Sequence, residues 1–332
     1  MRVWFLKETQ SIDVNCGTGS NITIWTREDQ VYRITPRPND EVNSWWMPDS
    51  HRLNFHYLDS DRRLAEPLVK QDGKHSLASW TDALEAAATG LRKIAPGHLA
   101  VVASAGMTNE ELFLARKLSH TLGASHISIV PRQGEADGLL IASDRNPNTT
   151  GAKLIWKSDD PAIALDAIRN GVRDGSIKGL LVLGEDLTEA AGFSAEDLAK
   201  LEFLATTNIL ANPTAEAADV VLPTAAFAEK RGTMVNIAGR IQRLNAATTP
   251  PGQARDDWEV LRDLLASLDA APEPALNLIE DLFRRLASEV PELEGLTHSK
   301  IGDQGLPVTA TGATIPLLEK EQARKAAGEI VG

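Results

Sequence analysis

Four short, nearly unbroken apolar runs constrain the fold more than any other feature of the chain: LAVVAS (99–104), HISIV (126–130), GLLVLG (179–184) and ADVVLP (218–223). A strand with one wet face alternates apolar and polar residues, so continuous runs mark strands covered on both faces, the condition of a parallel sheet between helices. The intervening segments carry helix signals. Ser76 or Ser79 caps a helix that places Trp80, Leu84, Ala87, Ala88 and Leu91 on one face and ends before Pro96-Gly97. Thr108 and Glu111 have capping-box spacing ahead of Leu112, Ala115, Leu118 and Leu122, with Gly123 as the stop. Strand, helix and strand in that order make one βαβ unit. A second series adds KLIWK (153–157) as a strand, a helix over 161–172, GLLVLG, a helix capped by Ser194, and the strands TNILAN (207–212) and ADVVLP. The expectation is an α/β protein with a twisted, mostly parallel, Rossmann-like sheet and helices on both faces.

Three regions follow from the change in texture along the chain. Residues 1–72 are irregular, with β-like runs at Asn21–Trp25 and Gln30–Ile34 and four of the seven tryptophans: Trp4, Trp25, Trp45 and Trp46. They read as a small β-rich subdomain pinned by aromatics. Residues 73–265 hold the α/β core, and 266–332 form a helical and irregular extension with helices near 274–288 and 315–328. The excess of 46 acidic over 34 basic residues argues against a nucleic-acid or anionic-membrane surface. No apolar run approaches the roughly 20 residues that span a bilayer, so direct membrane insertion is not expected. The opening MRVWFLKETQ has no h-region, so no secretion signal is read there. One cysteine forms no internal disulfide, which fits the cytoplasm.

That cysteine, Cys16, lies in DVNCGTGSN (13–21). Asp13, Cys16, Ser20 and Pro48 stand at the spacing C-x2-C-x3-C-x27-C, the pattern of four thiolates around an iron–sulfur cluster, with three of the four replaced. A cubane cluster needs four anionic donors, thiolate above all; Asp13 and Ser20 offer hard oxygens and Pro48 has no donor side chain. The pattern reads as a degenerate [4Fe–4S] site, with Cys16 a small, half-buried side chain in a turn.

The spacing, together with VWFLKETQSI, VYRITPRPNDEVNSWWM and HRLNF, resembles the molybdopterin oxidoreductase-like region of the G-subunit family of bacterial NADH:quinone oxidoreductase, respiratory complex I. SAGMTNEELFLARKL, DGLLIASDRNPNTTGA, ADVVLPTAAFAEKRGTMVNIAGRIQRL and LEGLTHSKIGDQG extend the likeness over most of the chain. In active enzymes of this type the fourth cysteine is followed by x-Lys-Gly; here the lysine position is Ser50, between Asp49 and His51. The resemblance implies a structural, cofactor-free and non-catalytic subunit of the peripheral arm, on the cytoplasmic face of the inner membrane. Its implied partners are other peripheral-arm subunits, among them a separate cluster-bearing chain like the family's amino-terminal half. No catalytic, cofactor-binding or metal-binding residue is assigned. Two alternatives stand beside this: a molybdopterin-dependent, formate dehydrogenase-like oxidoreductase with an oxygen ligand to the metal, and a small-molecule module using an empty pterin crevice.

Other features have plainer readings. DRNPNTTGA (144–152) reads as a turn rather than a ligand loop. His51 and His56 lack zinc spacing. Glu229-Lys230-Arg231 is read as a structural charge cluster, and the adjacent Trp45 and Trp46 as core packing ahead of a contact with another chain.

Overall fold

The structure, a computed structural model, describes residues 5–268 and 276–327. From the amino end, β1 (Lys7–Ile12), β2 (Asn21–Arg27) and β3 (Gln30–Pro36) form an antiparallel meander, and a short helix α1 (Asp49–Leu53) follows. Next come the hairpin strands β4 (Leu68–Gln71) and β5 (Lys74–Leu77), then helix α2 (Trp80–Lys93), whose cap is Ser79 accepting from Asp82 N. The α/β series runs β6 (Leu99–Ala103), α3 (Asn109–Thr121), β7 (His126–Ile129), α4 (Thr149–Trp156), α5 (Leu165–Asp174) and β8 (Gly179–Leu183). It continues through α6 (Leu187–Ala190), α7 (Ala195–Leu198), β9 (Phe203–Asn208), α8 (Pro213–Ala217) and β10 (Val220–Pro223). Strands β11 (Gly232–Val235) and β12 (Arg240–Leu244) lead to α9 (Asp257–Ser267), α10 (Ile279–Glu289), α11 (His298–Ile301), β13 (Leu306–Pro307) and α12 (Pro316–Ala326).

Among the described residues the central sheet has the order β5-β4-β10-β9-β8-β6-β7, parallel from β10 to β7, with the β4–β5 hairpin antiparallel at its edge. Every residue of β6 and β8 is buried, as their unbroken apolar character requires. Alternate side chains serve opposite faces. Val101, Ala103, Leu181 and Leu183 pack with α2, α3, α9 and α10, whereas Ala100, Val102, Leu180 and Val182 pack with α5 and the segments around α6–α8. The capping box forms as its spacing predicts: Thr108 Oγ1 accepts from Glu111 N while Glu111 Oε2 accepts from Thr108 N. The meander shares its core with the rest of the chain. Ile12, Ile22, Ile24, Ile34 and Phe55 bury themselves against Phe227, Met234 and Leu244 of the β10–β12 region.

Several expected elements differ. KLIWK is not a strand: Lys153–Trp156 lie in α4, where Ala152 and Ile155, one helical turn apart, are buried and Trp156 Nε1 donates to Leu112 O at 3.0 Å. So short an apolar run satisfies either periodicity, and here packing on α3 decides. The expected TNILAN strand sits four residues earlier, over Phe203–Asn208. Thr207, the first residue of the expected run, and Thr206 before it are fully buried inside the sheet, with Thr206 Oγ1 donating to Thr207 O. The helix expected over 161–172 covers Leu165–Asp174. The helix near 274–288 covers Ile279–Glu289, the proposed start at 274–275 lying outside the described residues, as do Trp4 and residue 328.

Candidate functional site

The loop from Asp13 to Ser20 is closed at its base by Asp13 N donating to Ser20 O at 2.8 Å. It is pressed onto the rest of the molecule by backbone: Gly17 N donates to Asp144 O (2.9 Å) and Ile237 N to Gly17 O (2.8 Å). A Cβ on Gly17 would meet Ile237 Cγ2 at 2.3 Å, so only glycine permits this approach. Side chains complete the seam, with Asn236 Nδ2 donating to Thr18 O (3.1 Å) and Gln242 Nε2 to Gly19 O (3.0 Å).

The four cluster positions offer one carboxylate already engaged, one buried thiol, one hydroxyl and one proline. Asp13 Oδ2 lies 2.6 Å from His51 Nδ1, both side chains buried, and Asp13 Oδ1 accepts from Asn15 N and Nδ2. Cys16 is 1 % exposed, fully rather than half buried, and its Sγ donates to Leu140 O at 3.6 Å. Burial, reinforced by the Asp13 carboxylate, pushes its thiol up, against the thiolate that a cluster would need. Ser20 Oγ is buried without a partner among the described residues, and Pro48 stands at the N-cap of α1. One disfavoured thiolate and a carboxylate already held by histidine do not fit a [4Fe–4S] cluster. Alkylation checks this environment: native chain treated with iodoacetamide at pH 8 should label Cys16 roughly 100-fold or more slower than denatured chain. Equal rates would contradict a buried, neutral thiol.

The usual crevice for a phosphate-bearing ligand of an open α/β sheet is its switch point, here where β6 and β8 are neighbours but their connections depart in opposite directions. Its carboxyl-end turns carry Ser104–Gly106 and Gly184–Asp186. Glu185 occupies this place with a fully buried side chain, gripped by Arg132 through two bonds of 2.7 and 2.5 Å, and Asn208 Nδ2 donates to Glu185 O. A phosphate here would face a carboxylate and find the guanidinium taken. The residues fit an internal ion pair rather than the group.

The remaining candidates are structural. In DRNPNTTGA, Asn148 Nδ2 donates to Met107 O and to Asn109 Oδ1, and its Oδ1 accepts from Val235 N, while Asn146 Nδ2 donates to Val130 O. His56 is exposed and apart from the inward-turned His51. Glu229 pairs with Arg63 and Lys230 with Glu111 and Asp257, all buried; Arg231 is exposed. Trp45 and Trp46 are the one clear reversal: they are 67 % and 61 % exposed, not core. Sequence reading also missed Glu110, fully buried and accepting from Thr233 N, Thr233 Oγ1 and the His298 ring. Its only signal is its place beside the capping-box glutamate, where an apolar side chain would have been the usual neighbour of a buried face. Among the described residues no three His, Cys, Asp or Glu side chains gather to hold a metal ion, and no helix is long and apolar enough to cross a membrane.

A family model for molybdopterin oxidoreductase matches residues 63–151 and 148–267, and one for the NADH-ubiquinone oxidoreductase NDSU1/NuoG-like 4Fe-4S domain matches residues 6–56. The chain is similar to the mitochondrial NADH-ubiquinone oxidoreductase 78 kDa subunit of Candida albicans, 27 % identical with 81 % of this chain and 54 % of that protein covered. It is similar also to the 78 kDa subunit of Neurospora crassa (26 %; 93 % and 59 % covered) and to the G subunit of the NADH-quinone oxidoreductase of Rickettsia conorii (25 %; 87 % and 59 %). It thus spans somewhat more than half the length of these relatives. Among solved structures, acetylene hydratase from Pelobacter acetylenicus shares the fold, with a TM-score of 0.58 at 10 % identity over 90 % of this chain and 74 % of that one.

Proposed function

The chain belongs to the molybdopterin oxidoreductase family, and on that premise we propose that it is a structural, non-catalytic subunit of the peripheral arm of a proton-pumping NADH:quinone oxidoreductase. In this reading it carries no electrons itself. It packs beside a cluster-bearing polypeptide and is held at the cytoplasmic face of the membrane through the complex. Residues 1–72 serve as the degenerate cluster subdomain, 73–265 as the α/β core and 266–332 as the extension. The observation that carries it is the set of cluster positions: Asp13 is tied to His51, Cys16 is buried as a thiol, Ser20 is a hydroxyl and Pro48 a cap, within a segment that matches the family's cluster domain. Likeness to the bacterial G subunit and the mitochondrial 78 kDa subunit supports the assembly.

Two measurements on the tagged chain test the reading. Affinity recovery from native membranes is expected to bring peripheral-arm subunits, including one that carries clusters. Anaerobic incubation with iron and sulfide is expected to give no cluster absorption near 400 nm, and metal analysis no stoichiometric molybdenum. A cluster or a molybdenum atom on the chain would overturn the cofactor-free role. A chain recovered alone would overturn the subunit role.

A further inference from the structure

The described tryptophans divide into two kinds. Trp25, Trp80, Trp156 and Trp258 each donate Nε1–H to a partner in the protein: Thr35 Oγ1, Gln253 O, Leu112 O and Asp256 Oδ2. Trp45 and Trp46, adjacent in the chain, donate to none of the described residues and are both exposed, as is Leu53 on the short helix that follows. Isolated exposed apolar residues are ordinary, but a tandem pair of indoles is not.

The turn that displays them is built rigidly. Asn39 O accepts from Val42, Asn43 and Ser44 N, and Asn39 N donates to Ser44 O. Asn43, fully buried beneath, accepts from Asn21 N (2.9 Å) and donates to Arg37 O (3.2 Å) and Trp46 O (2.9 Å). Val42 is buried with Leu140 and Ile315, and Ser44 takes the left-handed φ of +49°. A strained residue and an asparagine hub hold two large apolar rings outward. Such pre-organisation serves binding, since little backbone freedom remains to be lost.

The chemistry of the rim selects the occupant. Asp40, Glu41 and Asp49 are exposed within five residues of the pair along the chain; Asp40 has no ion-pair partner among the described residues, whereas Glu41 and Asp49 reach Arg240 and Arg52. The unpaired Asp40 leaves an acidic excess next to the exposed indoles, which disfavours anionic lipid and nucleic acid and favours arginine and lysine. The chain itself uses this stacking, with Arg33, Arg255 and Arg262 over Trp25, Trp80 and Trp258 at 4.3, 4.3 and 5.1 Å. We propose that Trp45 and Trp46 are the anchor of a docking surface for a neighbouring polypeptide whose contact face is an apolar pocket rimmed by arginine or lysine. This rests on the subunit role proposed above, and names the surface through which it is met.

The test uses the tagged full chain in its native membranes, as wild type, W45A/W46A and D40K/D49K, with p-benzoylphenylalanine in place of Trp46 in a fourth form. Both indoles are in solvent, so the alanine variant should keep the wild-type circular dichroism and melting midpoint. The expected result is recovery of identified subunits with the wild type, a tenfold or greater loss with W45A/W46A, a several-fold loss with D40K/D49K, and a photo-crosslink to a partner peptide that contains arginine or lysine. If wild type recovers the assembly and W45A/W46A recovers it equally, the docking inference fails and the subunit role stands. If wild type recovers no subunits, both fail. A crosslink to lipid, or only to a second copy of this chain, also overturns the inference.

Discussion

Replacing Lys230 by methionine is expected to destabilise the chain by about 3–5 kcal/mol at pH 8, the usual cost of stranding a buried charge. The lysine comes from the loop between β10 and β11, and its Nζ lies 2.9 Å from Glu111 Oε2 on α3 and 3.1 Å from Asp257 Oδ2 on α9. One cation serves two carboxylates. Both carboxylates hold the ammonium well above the usual lysine range against the opposing effect of its burial, so at neutral pH its contribution is fully present. Glu111 carries the surplus: burial pushes its carboxyl up to about 8, with Lys230 pulling the other way and Asp257 adding to the rise. The sign follows. A raised carboxyl keeps its proton in the folded state after the unfolded chain releases it at the ordinary value of 4.5, so its contribution to stability falls as pH rises between 4.5 and about 8. Without the lysine Glu111 loses the effect that opposes its rise, so the deficit of the variant should be larger near pH 8.5 than near pH 5. Urea unfolding of both proteins at the two pH values measures it. A deficit independent of pH would mean that packing of the lysine stem, and not its charge, is what the site uses.

The same triad explains what the sequence could and could not disclose. The parallel sheet was legible because LAVVAS and GLLVLG are apolar at every position that enters a strand, and a strand so made has one stable environment. The cap of α3 was legible because Thr108 and Glu111 are local partners. Lys230 and Asp257 lie 119 and 146 residues beyond Glu111, and no periodicity links them; only the folded chain brings the three together. The cluster positions illustrate the middle case. Spacing located Asp13, Cys16, Ser20 and Pro48, and ligand chemistry ruled on them, but the His51 partner of Asp13 depends on α1 turning its third residue inward. Trp45 and Trp46 misled because hydrophobicity argues for burial, while the buried Asn43 directly before Ser44 fixes the turn the other way.

Arg63→Met should cost a similar amount, about 3–5 kcal/mol, at a second site, a buried bidentate ion pair. Arg63 grips Glu229 through Nη1–Oε1 at 2.8 Å and Nη2–Oε2 at 2.6 Å, and Nη1 also donates to Leu58 O at 3.0 Å. Both side chains are almost wholly buried. The pair ties the segment leading into β4 to the β10–β11 loop, and so holds the amino-terminal region, whose own core is shared with Phe227 and Ala228, against the sheet. Methionine follows the arginine stem closely but leaves the carboxylate, among the described residues, with only the Ala226 N–H, 2.7 Å from Oε2. The cost is therefore that of an uncompensated anion rather than of a cavity. The double variant R63M/E229Q separates the two. Glutamine keeps an acceptor for Ala226 N–H and removes the charge, so the double variant should recover to within about 1 kcal/mol of wild type although it retains the original substitution. Thermal or denaturant unfolding of the two single variants and the double gives the cycle. Additive losses would mean that the bidentate pair contributes no coupling, and the amino-terminal region would then be held by its apolar contacts alone.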